Sequence, residues 1–237
     1  MITRESIVKR SFEHTDVALP DEKLALSPER VAAISLSLAR TCMRYASIER
    51  VPRYHEAHRE NDAEHSLMVS MIATELAAQF RPDLDIGLVA QFSNVHDLVE
   101  TATLRGDVAT YLLDDRQLAA KHDEEQDALA VLLPTLPPYT RQLVIEYESQ
   151  KSKEARFVRA VDKLTPLLVD ILGPGKQVLA QDYGVTSLTE VLLNQKRLND
   201  SMVRRFGEDT PEIVEAYILL GEIFATQYDA TEIIEQG

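Results

Sequence analysis

A chain of 237 residues with 45% hydrophobic content can bury a sizeable core, and its 25 basic against 39 acidic residues give a formal charge of -14. That charge argues against a nucleic-acid-binding face, and a single cysteine, Cys42, excludes a disulfide framework and a multi-cysteine zinc site. An acidic protein that acts on a phosphorylated molecule needs concentrated local positive charge, which a bound metal ion supplies.

Residues 1–26 are polar and mixed in charge and read as an arm. They lack the apolar run of a signal peptide, no later stretch approaches a membrane span, and the expected location is cytoplasmic, with no membrane partner. Ser27-Pro28-Glu29 marks a helix start: a capping hydroxyl, proline at the first position, an acid at the positive dipole end. That helix is expected to reach about Ser47 and to bury Val31, Ile34, Leu38 and Cys42 or their neighbours. Arg50 to Asn61 reads as a loop. Asp62 is expected to cap a second helix through about Phe80, with Leu67, Met71, Ile72 and Leu76 on its apolar side.

A third helix carries Ile86, Val89, Phe92, His96 and Val99, and residues 101–115 read as loop around Gly106. Further helices are expected from Arg116 to Leu133, from Thr140 to Glu148, and from a Ser152 cap to Leu172, where Gly173-Pro174-Gly175 stops the last. Two more follow in the last fifty residues, one started by Thr210-Pro211-Glu212. The expectation is an all-α chain with no internal repeat.

Two features carry chemistry. His96-Asp97 sits in the apolar segment SNVHDLVE, where neighbours about 100° apart on a helix can flank one ion, and Glu100 follows one turn on. Asp162 lies mid-way along ARFVRAVDKLTPLLV, and a carboxylate in a core helix is costly unless paired or bound to metal. His65 is similarly placed in AEHSLMVS. Singly, each is more often structural than catalytic, and Lys163 and Arg159 offer Asp162 a plain ion pair. His14, His55, His58 and His122 read as surface or core histidines. Together, two imidazoles and two carboxylates from three helices make a nitrogen and oxygen set suited to a divalent ion.

In that order, His65, His96-Asp97 and Asp162 resemble the H…HD…D pattern of the HD superfamily. RVPRYHEAHRENDAEHSLMVS resembles the segment of bacterial HD-domain 5'-deoxynucleotidases that ends ENxxEHS, and HDLVE followed by GDVAT resembles their HDxxE…GD. KHDEEQDALAVL and EYESQKSKEARFVRAVDKL resemble segments of eukaryotic HD-domain-containing relatives, so the likeness covers Arg50 to Leu168.

The resemblance implies an HD domain over 27–185, with the arm before it and a helical extension over 186–237 packed on it. It implies one divalent ion (Mn, Co, Zn, Fe, Ni or Mg) held by His65, His96, Asp97 and Asp162, with Asp97 and Glu100 catalytic. Arg50 would engage the phosphate, Asp107 the sugar 3'-hydroxyl, and Glu64 and Ser66 would support His65. The implied reaction is removal of the 5'-phosphate from (deoxy)nucleoside monophosphates by a homodimer. Where the bacterial relatives carry a tryptophan that crowds the sugar 2' position, this chain has Val51, which leaves room for a hydroxyl. The segment between Glu100 and Gly106 is two residues longer than theirs.

Two other enzymatic readings stand beside this one. A dNTP triphosphohydrolase would use extra cations such as Arg53, Arg59, Arg105 and Lys121; a cyclic-nucleotide phosphodiesterase has less support. A non-catalytic HD-type nucleotide-binding or regulatory module is the reading from outside enzymology.

Overall fold

The computed structural model describes residues 27–55, 58–103, 113 and 115–232. Among them the fold is helical, as expected, apart from one hairpin. The helices are α1 (Pro28–Tyr45), α2 (Asp62–Phe80), α3 (Ile86–Val95), α4 (Asp115–Leu132), α5 (Pro138–Ser149), α6 (Lys153–Leu172), α7 (Gly175–Tyr183), α8 (Leu188–Phe206) and α9 (Pro211–Glu232). Short 3-10 turns occupy Leu98–Ala102 and Leu133–Thr135. No helix among the described residues is long and apolar enough to cross a membrane.

Local signals act at the expected positions. Ser27 accepts from the Arg30 N–H, and Ser152 from that of Ala155, so both hydroxyls cap their helices. The helix that Ser152 opens stops at Gly173. The cap of α2, however, is Asn61 rather than Asp62. The Asn61 side chain accepts from the N–H groups of Ala63 and Glu64, and Glu64 returns the bond to the Asn61 N–H. Asp62 is thereby released from capping and is fully buried.

The segment expected as a loop after Arg50 is an antiparallel hairpin, β1 (Glu49–His55) and β2 (His58–Asn61). Glu49 faces Asn61 and Arg53 faces Arg59, so β1 has extra residues between paired positions and bulges around Val51-Pro52. Proline, which cannot donate to a ladder, sits where the pairing is interrupted. Helix α7 also departs from expectation, since it begins on the Gly173-Pro174-Gly175 stop of the helix before it.

Helix α2 packs on α3 and α6, α5 packs on α3, and α9 lies against both α6 and α8. The core draws on Val69, Ala73 and Ala77 of α2, Val89 and Phe92 of α3, Tyr147 of α5, and Phe157, Val158 and Val161 of α6. It continues to Phe224 and Tyr228 of α9. Each valine or phenylalanine among them contributes about 1.5–3 kcal/mol on leaving water. Leu67 and Met71, expected on the apolar side of α2, are exposed, and on α1 Val31 and Cys42 are exposed while nearby Ala33 and Tyr45 are buried. On α2 the inward stripe passes instead through His65, Ser66, Val69 and Ala73, because small side chains let the helices approach closely.

The hairpin is fastened to the end of α6. A Cβ on Gly173 would fall 2.4 Å from the Arg53 carbonyl oxygen, so strand and helix meet backbone to backbone. Arg53 also pairs with Asp182 of α7 at 2.9 Å.

Candidate metal centre

His96 stands at the last turn of α3, and its side chain helps to end that helix. Its Nδ1 donates to the Ser93 carbonyl at 2.8 Å, an oxygen that a continuing helix would offer to the Asp97 N–H. The chain then turns into the 3-10 segment Leu98–Ala102, which corrects the expectation of one helix running on to Val99. A carbonyl can only accept, so Nδ1 carries the hydrogen and the lone pair of the neutral ring lies on Nε2. That Nε2 is buried without a hydrogen-bond partner among the described residues, 3.1 Å from Asp97 Oδ2 and 3.5 Å from Asp162 Oδ1.

From α2, His65 points Nε2 into the same space, 3.0 Å from Asp162 Oδ1 and 3.9 Å from Asp97 Oδ2. One ligand atom from each of His65, His96, Asp97 and Asp162 lies within 4.8 Å of the others. Three helices and the turn after α3 therefore bring together the four residues singled out in the sequence.

The donor set fits a divalent ion. Glu60, Asp62 and Asp162 are buried and the Asp97 side chain is 13% exposed; Arg50 pairs with Glu60, Asp62 and Asp97, and Lys163 with Asp162. Carboxylates gathered around two imidazoles in a poorly solvated place make a setting that a divalent ion neutralises. Burial disfavours charge on the His96 imidazole, yet Asp97 and Asp162 outweigh it and push the ring up to about 10. Burial likewise opposes the Asp97 and Asp162 carboxylates. His96 and Arg50 hold the first well below the usual range, and Lys163, His65 and His96 hold the second there. The cluster attracts positive charge.

A family model described as an HD domain matches residues 44–200. The chain belongs to the HD-domain family. Its fold is similar to a crystal structure described as a predicted metal-dependent phosphohydrolase from Magnetospirillum magnetotacticum MS-1. The two are 27% identical, with a TM-score of 0.63, over 87% of this chain and 98% of that one. No curated protein matches the chain.

Around the cluster, this HD domain places the other singled-out residues unevenly. Glu100 is buried in the 3-10 turn, with the Lys121 ammonium of α4 3.6 Å away; Lys121 also pairs with Glu125 at 2.8 Å. Arg50 is 7% exposed and committed to carboxylates: Glu60 at 3.2 Å, Asp62 at 3.1 Å and Asp97 at 3.0 Å. Val51 follows it, partly buried, in the bulged stretch of β1. Asp107 and Arg105 lie outside the described residues.

Glu64 completes the α2 cap and meets His58 Nε2 at 3.0 Å rather than His65. Ser66 bonds the Tyr45 hydroxyl and lies 3.5 Å from His96 Nδ1, so it backs His96. Arg53 and Arg59 both turn to Asp182. Sequence reasoning missed Glu60, which is fully buried and 3.4 Å from His65 Nδ1. It also missed Tyr147, whose ring meets His96 edge-on at 6.2 Å while the Arg159 guanidinium lies 4.8 Å above it.

Proposed function

We propose that this HD domain is a metal-dependent phosphohydrolase that removes the 5'-phosphate from nucleoside monophosphates, deoxy or ribo. The observation that carries the reading is the buried cluster of His65, His96, Asp97 and Asp162, whose ligand atoms converge on one point. Support also comes from the likeness to a protein described as a predicted metal-dependent phosphohydrolase, and from the nucleotidase-like segments between Arg50 and Leu168.

His65, His96, Asp97 and Asp162 would hold the ion. When bound, it polarises a phosphoryl oxygen and makes water more acidic near neutral pH. The protein's own groups do the rest. Lys163 beside Asp162 and Lys121 beside Glu100 bring positive charge toward a phosphate dianion. Glu100 takes a proton from the attacking water. As the bond between phosphorus and the sugar oxygen breaks, it returns a proton to the departing alkoxide, so nucleoside and inorganic phosphate leave. Arg50 keeps Asp97 oriented through this cycle. Val51 leaves the sugar 2' position uncrowded, so both sugars are accepted.

A triphosphate substrate has less in its favour, because two of the cations it would recruit, Arg53 and Arg59, face Asp182 of α7. The test is phosphate release from ribo- and deoxyribonucleoside mono- and triphosphates with Mn²⁺, Co²⁺ or Mg²⁺, and with chelator. Orthophosphate from monophosphates, abolished by chelation, is the expected result. Release of tripolyphosphate, or metal-independent release, would overturn the reading.

A further inference from the structure

Glu60 lies at the end of β2 with none of its surface exposed, a costly place for a carboxylate. Three groups converge on it. Arg50 Nε donates to Oε2 at 3.2 Å, the Tyr54 hydroxyl donates to Oε1 at 3.3 Å, and His65 Nδ1 lies 3.4 Å from Oε2. His65 Nδ1 is buried and makes no hydrogen bond among the described residues; the Glu60 carboxylate, 3.4 Å away, is the acidic group paired with it. The opposite nitrogen of the same ring, Nε2, faces Asp162 and Asp97.

We propose that Glu60 is a positioning residue of the metal centre: a single carboxylate orients His65 directly and Asp97 through Arg50. The inference rests on the metal-centre reading above and adds to it a residue that supplies no ligand atom.

The geometry has two physical consequences. A carboxylate on Nδ1–H fixes the tautomer, leaves the Nε2 lone pair for an ion, and makes the ring a better donor. The same carboxylate bonds Arg50 Nε, which aims the guanidinium NH1 at Asp97 Oδ2, 3.0 Å away. One side chain from β2 thus sets two of the four cluster residues, one on α2 and one after α3. Loss of its charge and loss of its orienting contact both weaken cation binding, so the two effects do not cancel.

The experiment is calorimetric titration of Mn²⁺ and visible-spectrum titration of Co²⁺ into the full chain, for the parent, Glu60→Gln and Glu60→Asp, with folding checked by circular dichroism. Glu60→Gln keeps the shape and loses the charge. It is expected to weaken affinity by about 10–100-fold and to change the Co²⁺ absorption bands, with Glu60→Asp intermediate. A folded Glu60→Gln with parental affinity and parental Co²⁺ bands would overturn the proposal. A parent that binds no divalent ion would instead overturn the metal-centre reading, which separates the two failures.

Should both variants fail to fold, nitrogen-15 NMR of the Zn²⁺-loaded parent decides. His65 with its hydrogen on Nδ1 supports the role of Glu60, and coordination through Nδ1 overturns it.

Discussion

Arg50 spans from β1 to Asp97, its guanidinium 3.0 Å from the carboxylate that follows His96, while the same group serves Glu60 and Asp62. The resemblance implied a phosphate contact; the geometry makes Arg50 the counter-charge of a buried acidic network. Arg50→Ala leaves Glu60 and Asp62 buried without that cation, at a cost of about 3–5 kcal/mol. Chemical denaturation in chelator measures it. A variant of parental stability whose only defect is a raised KM would return Arg50 to the role of phosphate ligand.

Removal of one cluster residue tests the centre itself. His96→Ala takes away the Nε2 lone pair supplied by the end of α3, and Asp97→Ala removes a carboxylate that faces both imidazoles. Each is expected to abolish bound Mn²⁺ by elemental analysis together with phosphate release. Full metal content and turnover in either variant would show that the ion is held elsewhere.

Glu100 stands apart from the four. It is buried in the 3-10 turn with Lys121 3.6 Å away, and the proposed reaction gives it proton transfer rather than coordination. Glu100→Gln should retain the ion and lose turnover by about 10²–10⁴-fold. Loss of the metal in that variant would make Glu100 a ligand instead.

In the proposed reaction, Val51 borders the sugar. Val51→Trp is expected to lower kcat/KM for ribonucleotides relative to deoxyribonucleotides, because the larger ring takes up the room of the 2'-hydroxyl. Kinetics on paired AMP and dAMP substrates check it, and an unchanged ratio would place the sugar away from β1.

Asp170 of α6 supplies a pH dependence separate from catalysis. Burial, with Glu60 adding to it, lifts its carboxyl from the ordinary 3.8 to about 7. Between those values the folded chain keeps a proton that the unfolded chain has released, so this stabilising contribution is complete below about 4 and lost as pH rises through about 7. A rise of that size corresponds to at most about 4 kcal/mol. Asp170→Asn cannot ionise, so its thermal midpoint should gain on the parent from pH 5 to pH 8. A difference independent of pH would show that Asp170 ionises freely.

What was legible in the sequence was local or carried by motif. Ser27-Pro28 and Ser152 act within one turn of themselves, and the order His65, His96-Asp97, Asp162 is distinctive enough to survive without geometry. The hairpin was hidden because ERVPRYH has no alternating pattern and carries a proline in its bulge. The end of α3 was hidden because SNVHDLVE contains neither glycine nor proline; the break is made by the His96 side chain on the Ser93 carbonyl. Leu67 and Met71 looked like core by hydropathy, yet α2 turns its smaller residues inward. Glu60 left no signal, since its meaning lies in contacts with Arg50 and His65 that no spacing expresses.

Where Gly173 meets the Arg53 carbonyl, two parts of the centre become one. Helix α6 bears Asp162, and the hairpin fastened to its end bears Arg50 and Glu60, so a residue of the cluster and the groups that brace its neighbours share one backbone junction. The Arg53–Asp182 pair adds a second tie, from the hairpin to α7.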